Sequence, residues 1–218
     1  MGELRRKPVT ELPQLPRDSS KFVSWKEGVS YLVLPKCGCG SVRRSIAVAL
    51  GIPIPGQKLK HFLYHGINDY KVDGPVGYSF TLIRDPVERC LSAWWDKTKV
   101  QHNNFRRTKF LYGTIWGRYN GLFYPNMPIE EYVKAIVHIG HEAGEDHFRG
   151  YSQIMKREGR PEHIYELGNP DHWEEIRQNT GLGPMKRANA RPGRPTVKTI
   201  SAGLRKQIEK FYAEAREG

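Results

Sequence analysis

The stretch Tyr31-Leu-Val-Leu-Pro-Lys-Cys-Gly-Cys-Gly-Ser-Val-Arg-Arg-Ser-Ile46 carries the change of period that decides the fold. Val29 to Leu34 is apolar apart from Ser30, with β-branched and aromatic members, the composition of a short interior strand. Pro35 stops it. From Ser41 onward Val42, Ile46, Ala49 and Leu50 fall at helical spacing, and Gly51 closes the run. Between strand and helix, Gly38 and Gly40 admit backbone angles closed to other residues and let the main chain approach a ligand. A strand, a glycine loop and a helix present unpaired amides and the positive end of a helix dipole, which is a cradle for phosphate or sulfate. The common nucleotide-triphosphate loop needs Gly-x-x-x-x-Gly-Lys-Ser/Thr. Here Lys36 precedes the glycines and Ser41 follows them, so a lysine and a hydroxyl bracket the loop.

A second stretch repeats the strand-to-helix change. Tyr78-Ser-Phe-Thr-Leu-Ile83 reads as a strand, followed by Arg84-Asp-Pro-Val-Glu-Arg-Cys-Leu-Ser92. Asp85 can cap a helix and Pro86 fits its first turn, so a helix is expected from Pro86 to Lys97. Arg84 then stands at the carboxyl end of a strand, where open α/β sheets place ligands. Arg89 and Ser92 share a face of the helix, and an arginine fork with a hydroxyl suits a second phosphate.

Together, Pro35-Lys36-Cys37-Gly38-Cys39-Gly40-Ser41 and Arg84-Asp85-Pro86-x-x-Arg89-x-x-Ser92 resemble the two cofactor motifs of the sulfotransferases that use 3′-phosphoadenosine 5′-phosphosulfate (PAPS). The resemblance is closer to the carbohydrate branch, with the chondroitin and heparan 2-O-sulfotransferases. It implies that Lys36, Cys37, Gly38, Cys39, Gly40, Ser41, Val42 and Arg43 surround the 5′-phosphosulfate, and that Arg84 and Ser92 hold the 3′-phosphate. Lys36 would also act catalytically, on charge at the departing phosphate oxygen. The family usually has Thr where this chain has Gly40; Arg43 stands near a family lysine and is expected to compensate. The late stretch Lys186-Arg-Ala-Asn-Ala-Arg-Pro-Gly-Arg194 resembles a loop that closes over the cofactor with an Asn, here Asn189. The heparan branch takes its base from a Tyr-His-Gly segment between the motifs. His65 in Tyr64-His65-Gly66 matches it best, His61 is second, and His147 before Phe148 is a further reserve. No metal is needed for this chemistry.

The rest of the chain fits one α/β domain over residues 1–218, with a central, mainly parallel sheet flanked by helices and an irregular arm at 1–21. Resemblance narrows this to the P-loop-like sulfotransferase fold. A third strand is expected at His163 to Leu167, and helices at Pro128 to Gly140, Pro170 to Asn179 and Ile200 to Ala215. In the first of these Ile129, Tyr132, Val133, Ile136 and Val137 should point inward, and His141 with Glu142 reads as a solvated helix end. Trp94 to Tyr124 interleaves aromatics and bases and reads as an insert on the acceptor side. Three cysteines, Cys37, Cys39 and Cys90, are too few for a disulfide framework, and Cys37-x-Cys39 is tighter than the usual zinc spacing.

Lys and Arg number 35 against 23 acids, a net charge of +12, so the partners are anionic: PAPS, and a polyanionic or carbohydrate acceptor. Nucleic acid is the rival partner, but the bases are dispersed and no basic arm appears. No run approaches the ~20 apolar residues of a membrane span. Met1 to Lys21 is polar and proline-rich, unlike a signal peptide. The expected setting is therefore a bacterial or phage-like cytoplasm, or a trimmed soluble domain of a Golgi-type enzyme. The sequence leaves two other readings open: a nucleotide kinase-like phosphotransferase, and a non-catalytic basic module that binds glycans or nucleic acid.

Overall fold

Glu27-Gly28 reverses the chain, with Gly28 at a left-handed φ of 68°, and this turn sets the direction of the sheet. The computed structural model describes residues 21–53, 56–64, 66–98, 119, 121–185 and 196–214. Chain contacts divide it into two compact units. The sheet-bearing unit comprises Asp18–Asp85 and Tyr151–Gly193; the described residues of the helical unit come from Pro86–Gly150 and Arg194–Gly218.

In the sheet-bearing unit the chain order is β1 (Phe22–Lys26), β2 (Val29–Leu32), α1 (Cys39–Ala49), α2 (Gln57–Tyr64), a 3₁₀ turn (Gly66–Tyr70), β3 (Lys71–Val72) and β4 (Tyr78–Ile83). After the helical excursion follow α5 (Tyr151–Glu158), β5 (His163–Glu166) and α6 (Pro170–Thr180). The five strands lie in the order β3-β1-β2-β4-β5. β2 pairs parallel with β4, Tyr31 opposite Phe80, and β4 pairs parallel with β5, Leu82 opposite Tyr165. β1 is antiparallel to both β2 and β3. The expectation of a mainly parallel sheet is therefore corrected: the sheet is mixed. The reason is the connection. A two-residue turn can only return a strand antiparallel, whereas parallel neighbours need a crossover of a dozen residues or more.

Alternation along the strands builds a core on each face. Tyr31, Phe80, Leu82 and Tyr165 pack with Val42 and Ile46 of α1, Leu59 and Phe62 of α2, and Ile176 of α6. Phe22, Leu32 and Leu34 pack on the opposite face with Ile154 and Met155 of α5. Polar residues also pin these strands: the Ser30 hydroxyl donates to Val76 O at 2.9 Å and accepts from Val76 N at 2.8 Å.

The helical unit packs α3 (Pro86–Thr98), α4 (Ile129–Ile139) and α7 (Ala202–Glu214) around Leu91, Trp94, Tyr132, Ile136, Ile208 and Phe211. Val137, expected inward, is 44% exposed, because the stripe buried by α4 runs through Tyr132, Val133, Ile136 and Ile139. Burial pushes the Cys90 thiol up to about 12, so this cysteine is an unreactive core residue. Among the described residues no helix is long and apolar enough to cross a membrane.

The turn and β4 meet at a close backbone approach. Tyr78 N donates to Gly28 O at 2.8 Å, and a Cβ added to Gly77, itself at φ 54°, would stand 2.1 Å from that same oxygen. Gly77→Ala should therefore lower stability by about 3 kcal/mol, the sum of overpacking and a left-handed alanine. Urea unfolding checks this; a loss under about 1 kcal/mol would show that the turn relaxes away.

Candidate functional site

Three parallel strands, β2, β4 and β5, end side by side in the sheet-bearing unit, and the residues that follow each end carry polar and charged groups. After β2 the chain runs Val33-Leu34-Pro35-Lys36-Cys37-Gly38 into α1. Two residues of this loop are left-handed: Lys36 at φ 68° and Gly38 at φ 78°. Gly40 was expected to need such freedom; it instead lies in the first turn of α1. For glycine the conformation is cheap. For lysine it is not, and strain held by a non-glycine residue gathers at functional sites.

Gly38 is also the N-cap of α1 and offers no side chain to it. The first turn of α1 contains no acid. Ser41 N and Val42 N both bond to Gly38 O, at 2.8 and 3.1 Å, while the amides of Cys39 and Gly40 precede any helical acceptor. The contrast is α6, which follows β5: Asn169 caps it through Asp171 N at 3.0 Å, Pro170 opens it and Asp171 lies in its first turn. One helix end is satisfied by its own sequence. The other is left with its positive end unspent.

Beneath the loop, Tyr31 is 0% exposed, and its hydroxyl has no partner among the described residues. Burial raises its titration well above the ordinary tyrosine range, and the neighbouring Cys39 and Cys37 add to the rise. Arg43, on α1, donates through Nη1 to Leu63 O at 3.3 Å, and its Nε is likewise buried without a partner. Val42 turns its side chain into the core at 0% exposure, so only its backbone belongs to the loop. Ser41 is nearly buried.

Arg84 follows β4 directly, and its backbone is clasped by Tyr151. The Tyr151 hydroxyl donates to Arg84 O at 2.9 Å and accepts from Arg84 N at 3.2 Å. The same oxygen lies 3.2 Å from Cys37 Sγ. Tyr151 was not singled out from sequence, since it stands 67 positions from Arg84 and 114 from Cys37. After β5, Leu167 N donates to Ile83 O at 2.7 Å, continuing the ladder past the strand.

The chain matches the Sulfotransferase family over residues 20–134, just over half its length. It belongs to that family. The match covers the Lys36 loop, Arg84 and the whole of α3. No curated protein and no solved structure matches the chain.

The remaining positions named from sequence in this sulfotransferase fall as follows. His61 is exposed on α2. His65 and Asn189 lie outside the described residues, as do most of the aromatic and basic stretch, 99–118, and the late basic loop, 186–195. Of the part of that stretch that is described, Trp94 is core and bonds to Met127 O at 2.8 Å, Tyr119 is buried and bonds to Ala143 O at 3.0 Å, and Lys97 is 7% exposed. Trp94 and Tyr119 are core residues. Ser92 is partly buried on α3, in the helical unit.

Arg89, read from its motif as a phosphate fork, is 0% exposed. Its Nη1 donates to Arg149 O at 2.6 Å and its Nη2 to Asp146 O at 2.7 Å. The guanidinium therefore holds the backbone of 146–149 instead of presenting a fork to solvent. Arg149 does the same for 141–142, donating to His141 O and Glu142 O at 3.0 Å each. His141 is no solvated end: its Nδ1 accepts from Gly150 N at 3.0 Å, its Nε2 meets Phe211 O at 2.8 Å, and its ring stacks on Phe211.

This scaffold carries Glu145 and His147. The Glu145 carboxylate receives His147 Nδ1 at 2.6 and 2.8 Å and His147 N at 2.8 Å. Burial alone would raise the Glu145 carboxyl, but the charged His147 ring, its two N–H donors and Lys97 outweigh this and hold it well below the usual carboxylate range. With Nδ1–H given to the carboxylate, Nε2 carries the lone pair of the neutral ring. The Cys37-x-Cys39 pair has no metal-holding company: among the described residues no group of three or more His, Cys, Asp or Glu gathers.

Lys36 allows the strain to be read directly. Lys36→Ala keeps a side chain in the left-handed region, while Lys36→Gly removes the penalty, so the glycine variant should be the more stable by about 1 kcal/mol. This reverses the usual order of the two residues. Paired urea titrations measure it, and alanine equal to or better than glycine would show an unstrained loop.

Proposed function

We propose that this sulfotransferase moves the sulfonate group from PAPS to a hydroxyl of a carbohydrate acceptor, releasing 3′,5′-ADP. The observation that carries the reading is the strained Lys36–Gly38 loop feeding an uncapped, acid-free α1 in the same unit as Arg84. These residues fit a doubly phosphorylated nucleotide. The amides of Cys39 and Gly40 are unspent in the helix, and the orphaned Tyr31 hydroxyl lies beneath them in a loop bounded by Lys36.

Bound there, PAPS would supply an activated sulfonate whose sulfur–oxygen bond to the 5′-phosphate breaks as the acceptor oxygen forms its own. Lys36 and the loop amides would hold the 5′-phosphate and neutralise charge on its departing oxygen. Arg84 and, by resemblance, Ser92 would fix the 3′-phosphate. The work of the chain is positioning and charge stabilisation, as in phosphoryl transfer. The net charge of +12 supports an anionic donor and is compatible with a polyanionic glycan.

A base must take the acceptor proton. By resemblance His65 takes this role, with His61 and His147 as the alternatives that mutagenesis separates. Around His147 the half-buried Glu145 carboxylate fixes Nδ1 and leaves Nε2 to accept.

Two measurements test this function. Calorimetry should show 3′,5′-ADP bound in preference to 2′,5′-ADP, and Arg84→Ala should weaken 3′,5′-ADP by about 1.5–3 kcal/mol, as for hydrogen bonds to charged groups. A chain indifferent to the phosphate position would be a general polyanion binder. For the base, His65→Ala should lower turnover by about 10²–10⁴ with 3′,5′-ADP affinity unchanged. Near-normal turnover in His65→Ala with His147→Ala inactive would move the role to His147.

A further inference from the structure

We propose that Tyr151 is a positioning residue that fixes the spacing between the two phosphate-holding elements, the Lys36 loop and Arg84. The proposal rests on the PAPS reading above and adds to it a residue that neither sequence motif contains.

Tyr151 is the first residue of α5, and its ring packs against the core of Phe22, Leu32, Leu34 and Cys37. Among the contacts of its hydroxyl are three to residues of the sheet-bearing unit. Two of them treat Arg84 as a strand partner would: the hydroxyl gives its proton to Arg84 O at 2.9 Å and takes one from Arg84 N at 3.2 Å. These are the donor and acceptor of the residue immediately after β4, where the ladder with its neighbours is running out. The third contact is to Cys37 Sγ at 3.2 Å, in the middle of the loop that follows β2. The hydroxyl has one proton, already given to Arg84 O. The thiol is then the donor toward it, with Pro35 O, 3.6 Å from the same sulfur, as the alternative acceptor.

One oxygen therefore touches the peptide of the residue assigned to the 3′-phosphate and the side chain of a residue in the loop assigned to the 5′-phosphate. A nucleotide with two phosphates on one ribose is a rigid bivalent ligand. Its affinity exceeds that of either half only if the two sites stand at the spacing the ribose imposes, so the spacing is where binding energy is gained or lost. β2 and β4 are paired only as far as Tyr31 and Phe80, so the ladder does not set the residues beyond it. Two local features take over from the ladder: the Thr81 hydroxyl, bonded to Leu32 O at 2.8 Å, and, further out, Tyr151.

Tyr151→Phe keeps the packed ring and removes the hydroxyl alone. The readout is a comparison of ligands, measured by calorimetry on the full chain with 3′,5′-ADP, 5′-AMP and 3′-AMP. The expected result is a loss of about tenfold in 3′,5′-ADP affinity, the scale of a few net hydrogen bonds, with each monophosphate changed by less than about twofold. Adding donor contacts is not the hydroxyl's role, so kcat at saturating donor should fall less than kcat/KM for PAPS.

A variant that binds all three nucleotides as the wild type does, or weakens all three equally, overturns the inference while leaving the PAPS reading standing. A wild-type chain with no preference for 3′,5′-ADP over the monophosphates overturns both. Should Tyr151→Phe fail to fold, Cys37→Ala removes the loop half of the contact and leaves Arg84 clasped. It should show the same selective loss, about threefold, and an equal loss for all three ligands would again count against the proposal.

Discussion

Leu167 occupies the space that a side chain at position 38 would need: a Cβ there would stand 2.8 Å from Leu167 Cδ1. The loop after β2 thus lies against the residue after β5. Leu167 is itself fixed by its amide bond to Ile83 O. A chain of short-range constraints thus runs from β5 through β4 to the loop, and the left-handed turn at Gly38 is its last link. The uncapped end of α1 has the same origin, because the residue at the cap stands at a left-handed φ of 78°, where glycine is favoured.

Much of this was legible in the sequence, for physical reasons that can be named. β2 and β4 are short runs with apolar residues buried on both faces, β5 alternates more weakly and is only partly buried, and α3, α4 and α6 carry start signals at Pro86, Pro128 and Asn169-Pro170. The strands that escaped were β1 and β3. Phe22-Val-Ser-Trp-Lys26 joins the apolar run of β2 through Glu27-Gly28, which lacks the Asn-Gly signature of a hairpin, and β3 is two residues long. Missing them turned a mixed sheet into an expected parallel one. The loop and Arg84 stood out as candidates because their residue types follow strand ends. Tyr151 was not, because a contact between positions so far apart leaves no period or spacing in the chain.

The arginines show a further limit of reading charge from sequence. Arg84 and Arg89 stand in one motif and look alike as candidates for phosphate. Arg89 is wholly buried and pays its desolvation by bonding main-chain carbonyls, a cost met only because the segment 141–150 has no ladder of its own to satisfy them. Arg149 answers the same need from the other side. Two cations thereby replace secondary structure as the scaffold of a loop, and it is this loop that holds the Glu145–His147 pair. At Arg89 and Arg149, then, positive charge serves internal support.

The chain leaves the sheet-bearing unit after Asp85 and returns to it at Tyr151. The bonds between Tyr151 and Arg84 close that excursion at its neck, so within the folded sheet the whole segment between them is one tethered loop. The entropy of closing a flexible loop rises only with the logarithm of its length, about 0.6 kcal/mol for each doubling. A segment held in this way can gain or lose residues, or be replaced, at little thermodynamic cost to the sheet that carries it. The neck, and not the length of what hangs from it, is the part of this arrangement that descent would have to preserve.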